Sequence, residues 1–250
     1  TGGAGFLVLG SATVDGGTIA NNIATGFAGG VYVKSGATAE LTGVAISNNS
    51  GTYGGGVCVY GDATLTNVEI SGNAASIAGG GVYVAKGVGA TLTHATIADN
   101  ASRNGAGLYV AGTADLFNSI VVDSILLGSV GTANAYNALS VFTAWSNAAS
   151  DNATQFVYNA EQPLFAVGSY ALAENSQALD KGNAEHAVAS DGSALATDLA
   201  GNARIVGTAV DLGAYESQSE AVSAAFAESL DDLDFFVDEE ELDAMAKYLV

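Results

Sequence analysis

The sequence holds one cysteine, two histidines and six Lys and Arg residues in 250, and each shortage excludes a class of protein. With Cys58 alone, no disulfide can form within the chain and no cysteine metal motif can be assembled. Six basic residues against 26 acidic ones give a formal net charge of −20, so there is no basic surface to neutralise phosphates and nucleic acid is excluded as a partner. Mean hydropathy is +0.31, yet no run approaches the roughly 18 apolar residues of a transmembrane helix. No Ser, Cys or His stands in a pattern that would pair a nucleophile with a base, and no cofactor motif is visible, so no cofactor is expected. His94 falls two residues after Leu92, at a turn, and is expected to be solvated; His186 is isolated.

What the chain has instead is a phrase repeated five times. Gly3-Ala4-Gly5-Phe6-Leu7-Val8, Gly29-Gly30-Val31-Tyr32-Val33, Gly54-Gly55-Gly56-Val57-Cys58-Val59, Gly79-Gly80-Gly81-Val82-Tyr83-Val84 and Gly105-Ala106-Gly107-Leu108-Tyr109-Val110 align without gaps. Phe6, Val31, Val57, Val82 and Leu108 lie 25, 26, 25 and 26 residues apart. A second series, Val14, Leu41, Leu65, Leu92 and Leu116, keeps its own register. Five residues on come Ile19, Ile46, Ile70, Ile97 and Val121, and eight on come Asn22, Asn49, Asn73, Asn100 and then Ser124. A fixed period of this length marks stacked repeats.

The apolar runs are short stretches of Val, Ile, Tyr, Leu and Thr bounded by Gly and Asn, which suits strands and is too short for helices. Glycine is frequent enough to make a helix costly. The spacing predicts an all-β coil of about three short strands, each coil hydrogen-bonded to the next. Along Val31-Tyr32-Val33 the pleat sends the valines one way and the tyrosine the other. With the valines inward, Val31, Val57, Val82 and Leu108 form an aliphatic column at about 4.8 Å intervals, and the columns through Leu41 and Ile46 make the other walls.

The same geometry nominates residues. Asn22, Asn49, Asn73 and Asn100 recur at one turn and are expected to stack amide on amide as a structural ladder. Tyr32, Tyr83 and Tyr109, beside Leu7 and Cys58, form an outward stripe that is a candidate glycan contact. Asp99 and Asp123 share a register, with Asn48 two coils earlier. They are a weak calcium candidate, since three oxygen ligands fall short of calcium's six to eight. Lys34, Lys86 and Arg103 do not cluster, which argues against a lyase site. Arg204 lies among Asp180, Asp198, Asp211 and Glu216, which reads as a structural ion cluster fastening the last coil; an acid pair for glycosidic cleavage is the catalytic alternative.

The Gly-Gly-x-apolar and Ile-x-x-Asn pairs resemble the repeats of right-handed parallel β-helix surface proteins, notably the polymorphic outer membrane proteins of bacteria, with Ile where that family carries Phe. A second resemblance covers about residues 118–216. Asn118-Ser119-Ile120-Val121, Gln162-Pro163-Leu164-Phe165, Ser176-Gln177-Ala178-Leu179-Asp180-Lys181-Gly182, Asp198-Leu199-Ala200-Gly201-Asn202-Ala203-Arg204 and Val210-Asp211-Leu212-Gly213-Ala214-Tyr215-Glu216 look like the choice-of-anchor Q domain. In large secreted bacterial proteins that domain closes a β-helix ahead of a C-terminal sorting segment. Together the resemblances imply a right-handed, single-stranded, pectate-lyase-like solenoid.

Residues 217–250 change character: glycine disappears and acids accumulate. Val222, Phe226, Leu230 and Leu233 make one apolar stripe and Leu242, Met245 and Leu249 a second, so a short acidic helical tail is expected. The chain is thus expected to divide into regular coils (1–125), irregular terminal coils (126–216) and tail (217–250). Repeat one begins at Gly3 without a capping segment, so other copies of the chain, or the rest of a longer surface protein, are expected against it. A head-to-tail contact of this kind propagates as an open filament. The expected function is a non-catalytic, extracellular or cell-surface structural β-helix such as a stalk, adhesin or filament subunit. The alternative is a β-helix that binds or cleaves host or environmental polysaccharide.

Overall fold

The computed structural model describes residues 5–140, 155–157, 159 and 161–218. The repeated phrase builds the first of three parallel sheets. Its strands Phe6–Val8, Val31–Val33, Val57–Val59, Val82–Val84 and Leu108–Val110 pair in chain order and end on Ile125–Leu127. The register sets Phe6 on Val31, Val31 on Val57, Val57 on Val82, Val82 on Leu108 and Leu108 on Ile125. The aliphatic column therefore runs one coil beyond the phrase.

The second sheet is made of longer strands, Ser11–Ala20, Thr38–Ser47, Asp62–Ser71 and Gly89–Ala98, each bent at a left-handed position. That position is held by Gly16, Gly43, Asn67 or His94, at φ 74°, 65°, 58° and 50°, and in the first strand Gly17 is left-handed as well, at 102°. In later coils the bend splits the strand: Thr113–Phe117 and Ile120–Val121 flank Asn118, and Thr132–Tyr136 and Ala138–Ser140 flank Asn137. The bend makes two walls from one strand, so the Leu41-Leu65-Leu92-Leu116 and Ile46-Ile70-Ile97-Val121 columns both face in. A third sheet, Ser50–Tyr53, Ala74–Ala78 and Ala101–Asn104, closes the coil.

Where the third sheet turns into the first, successive coils approach too closely for side chains. A Cβ on Gly80 would lie 2.4 Å from the Ala106 carbonyl oxygen and 2.6 Å from that of Ala101. The Gly-Gly pairs of the phrase are therefore a packing requirement.

Residues 161–218 do not continue the coil. They fold back along the outside of the second sheet, braced within themselves by isolated antiparallel bridges, Phe165 with Leu172, Val188 with Ala194 and Thr197 with Ala203. The expectation that 126–216 forms terminal coils is corrected accordingly: coil strands extend through Ser140, with a further short strand Gln155–Val157. Hydrophobicity explains where the return segment docks. The outward column Thr18, Ala45, Glu69, Thr96 changes to Ile120 and Leu139 in the later coils, and these two form a second apolar cluster with Leu164, Ala178 and Leu212. The expected helical tail, from 219 on, lies outside the described residues.

Candidate functional site

The asparagines form a continuous ladder. The backbone N–H and the Nδ2 of Asn22, Asn49 and Asn73 each donate to Oδ1 of the next Asn, at 2.9–3.0 Å. The other Nδ2 proton reaches back to the preceding coil, at 2.8 Å from Asn49 to the Ile19 carbonyl, from Asn73 to Ile46 and from Asn100 to Ile70. The ladder ends on Asp123, not on Ser124: Asn100 donates its N–H and Nδ2 to Asp123 Oδ2 at 2.9 and 2.8 Å. In each earlier coil a left-handed residue precedes the ladder position, namely Asn21, Asn48, Gly72 and Asp99. The last coil omits it and arrives one residue early. A carboxylate accepts without donating, so Asp123 ends the column with no amide proton stranded. Burial raises its pKa, and the Asn100 donors hold that rise down.

Asp99 and Asp123 are not brought together as ligands. Asp99 Oδ2 accepts from the Tyr170 hydroxyl at 2.7 Å, and Asp123 is taken by Asn100. Among the described residues no group of three or more His, Cys, Asp and Glu is arranged to hold a metal.

The tyrosine stripe is present and wider than the repeat implied. Tyr83 and Tyr109 stack at 5.3 Å with planes 2° apart, and Tyr32 stacks on Phe27 at 4.9 Å. Cys58 interrupts the tyrosine register, and Tyr60 fills the gap with its ring 5.9 Å from those of both Tyr32 and Tyr83. Much of the ring surface is spent on this mutual packing, while Tyr53, Tyr83 and Tyr109 also border a groove of about 510 Å³. Beneath it Cys58 is 0% exposed, and burial pushes its thiol pKa strongly up. The wild-type thiol should be inert to iodoacetamide under native conditions. Tyr60→Ala should open it to alkylation at least tenfold faster, measured by mass spectrometry; equal rates would show that Tyr60 is not its cover.

The five residues of the expected ion cluster do meet, but at the outer bend of the second sheet, not at the last coil. Arg204 is 1% exposed and donates through Nη2 to Asn67 Oδ1 at 2.6 Å and to the Gly213 carbonyl at 2.9 Å. Its Nη1 reaches Glu216 Oε2 at 3.5 Å, the sole carboxylate that pairs with it as a salt bridge among the described residues. The others hold backbone N–H groups: Asp198 those of Asn202 and Glu216, Asp211 those of Asp180 and Ser217, and Asp180 those of Thr208 and Ala209. The carboxylates shape the loops, and the guanidinium pins the shaped segment to the third coil.

The left-handed bend residues supply the rest of the dock, which sequence reading missed although their register was visible. Asn67 Nδ2 donates to the Thr197 carbonyl at 2.7 Å. Asn118 exchanges two 2.8 Å hydrogen bonds with the Asn183 backbone, which fixes its amide orientation. Its Nδ2 also faces His94 Nε2 at 3.1 Å, so Nε2 accepts and Nδ1 carries the proton. His94 is 0% exposed, which corrects the solvated-turn expectation: the return segment covers it. Burial first, then Arg204, depresses its pKa well below the ordinary value.

Glu216 gives this dock a pH dependence. Burial raises its carboxyl from the ordinary 4.5 to about 7, with the backbone N–H of Asp211 opposing the rise. Between those values the folded chain binds more protons at this group than the unfolded chain, so its contribution to stability falls as pH rises through the window. His94 acts oppositely below its ordinary value, so the effect is best isolated by difference. Glu216→Gln should gain melting temperature relative to wild type as pH goes from 5 to 8, by scanning calorimetry; a constant difference would remove Glu216 as the titrating group.

A separate cleft of about 580 Å³ opens between the second sheet and the return segment, lined by Glu69, Asp99, Phe165, Tyr170 and Tyr215. Glu69 Oε1 accepts from the Ser71 hydroxyl at 2.7 Å and Oε2 from the Tyr215 hydroxyl. The return segment carries no repeat, so its tyrosines could not be placed against these coils from sequence.

Three parallel sheets coiled about one core, with an amide ladder along one edge, define a parallel β-solenoid. A family model described as the right handed beta helix region matches residues 1–154, and the chain belongs to that family. No curated protein and no solved structure matches it.

Proposed function

We propose that the chain is a non-catalytic structural β-helix of the cell surface or extracellular space, a stalk, adhesin body or filament subunit that stacks end to end. One observation carries this reading: the repeated side chains are consumed by axial contacts. The valine, leucine and isoleucine columns face the core, the Asn ladder runs from coil to coil, and the tyrosines face each other. Repetition here serves stacking, and no repeated position accumulates reactive groups. The resemblances to bacterial surface β-helices and to the choice-of-anchor Q domain support the location, and the net charge of −20 favours a solvated body that repels non-specific partners.

The partner this reading calls for is another coil. In the first coil Leu9 is 66% and Ile23 78% exposed, beside the half-buried Phe6, Val14 and Ile19 of the core columns. A further coil, of this polypeptide or of another copy, would cover the Phe6, Val14 and Ile19 columns as each coil covers the one before, with Leu9 and Ile23 at the rim of that contact. Sedimentation velocity should show mass rising with concentration, and Leu9→Asp with Ile23→Asp should abolish the rise. A chain that stays monomeric from micromolar to millimolar would overturn stacking. The polysaccharide alternative finds its support elsewhere, in the Glu69 and Asp99 cleft.

A further inference from the structure

We propose that the cleft between the second sheet and the return segment binds a neutral, hydroxyl-rich saccharide. The proposal goes beyond the scaffold reading and does not depend on it. The walls come from distant parts of the chain: Glu69 and Asp99 from the third and fourth coils, and Phe165, Tyr170 and Tyr215 from the segment folded over them. Its volume of about 580 Å³ lies within the range of small-ligand sites.

The polar groups are aimed. The Tyr170 hydroxyl donates to Asp99 Oδ2 at 2.7 Å, and hydroxyls from Ser71 and Tyr215 hold the two oxygens of Glu69. Each carboxylate keeps lone pairs beyond these contacts, since two oxygens offer about four acceptor sites. They are fixed acceptors that want donors, and neighbouring hydroxyls of a pyranose provide donors in pairs. The aromatic groups supply the complementary surface. Phe165 and Tyr170 stand edge to face, with centroids 5.7 Å apart and planes at 90°, a contact that covers one face of one ring only, and both residues line the cleft. A sugar presents hydroxyl edges and apolar C–H faces together, and this cleft offers acceptors and ring surface together.

Charge narrows the class. Among the described residues two carboxylates and no basic residue line the cleft, so an anionic polymer such as a polyuronate or a sulfated glycan would meet like charge, which costs affinity. An anion is therefore disfavoured, and paired acceptors beside ring surface suit the vicinal hydroxyls of a neutral sugar. The aromatic stripe on the first sheet is a different surface and takes no part.

The test is isothermal titration of the purified chain with cellohexaose, maltohexaose and mannohexaose, with hexagalacturonate and hexalysine as charged controls. At least one neutral hexasaccharide should bind, and hexagalacturonate should not. Asp99→Asn keeps a side chain that tolerates the left-handed backbone, and Tyr170→Phe keeps the ring. Each should weaken binding at least tenfold with the unfolding midpoint held, whereas Tyr83→Ala on the first sheet should leave it unchanged. Three outcomes would overturn the site: none of the neutral sugars binds, binding survives both cleft variants, or hexagalacturonate or hexalysine binds in their place. None of them touches the end-to-end association that tests the scaffold.

Discussion

Asn73→Ala should lower the stability of the coil stack by about 3–5 kcal/mol, because three buried groups lose partners at roughly 1–3 kcal/mol each and such losses do not simply add. The Asn49 N–H and one Asn49 Nδ2 proton lose their acceptor, and the Ile46 carbonyl loses its donor. The backbone N–H of residue 73 stays on Asn100 Oδ1, so the ladder breaks on one side. Guanidinium denaturation measures the effect as a shift of the midpoint. Asn22→Ala, at a half-buried position with fewer contacts, should shift it less. An unchanged midpoint for Asn73→Ala would mean that the amides are satisfied by solvent and that the ladder contributes nothing to the stack.

Arg204→Met should cost a similar amount, about 3–5 kcal/mol, for a different reason. Removing one member of a buried ion pair leaves the other poorly compensated, and here the guanidinium also satisfies Asn67 Oδ1 and the Gly213 carbonyl. Burial lowers the Arg204 pKa, opposed by Glu216 and Asp198, so the cation is held in place by the surrounding carboxylates. The loss should be local. The coils through Ser140 keep their own core, whereas the return segment rests on the second apolar cluster and this clamp. Limited proteolysis of the variant should cut within 161–218 first and leave the coil fragment standing. Cutting at equal rates in coils and return segment would show that Arg204 supports the solenoid as a whole.

The coils were legible in the sequence because their chemistry repeats. Val57 has Val31 below it and Val82 above it, and the period that aligns them on paper is the one that pairs them in space. The four amides of the ladder were legible, and the carboxylate that ends it was not. The missing left-handed residue before Asp123 is a backbone event that residue type alone does not announce. His94 was misread for a related reason: its register at the bend is visible, but whether a bend residue meets water depends on what lies over it, and the covering segment has no period. The ion cluster shows the same division. Of the four carboxylates expected around Arg204, Glu216 pairs with it and the others bind backbone, while a partner that matters, Asn67, lies 137 residues from Arg204 in the chain. Glu69 and Tyr215 were invisible as a site because neither repeats and their meeting is set by the dock.

The repeat is proposed to specify end-to-end stacking of a structural body. Electron microscopy of the purified chain across a hundredfold range of concentration tests it most directly. Particles that lengthen along one axis into end-to-end assemblies as concentration rises, and that revert to single units with Leu9→Asp and Ile23→Asp, are the expected result. Single units of one size at every concentration, in wild type and variant alike, would contradict it.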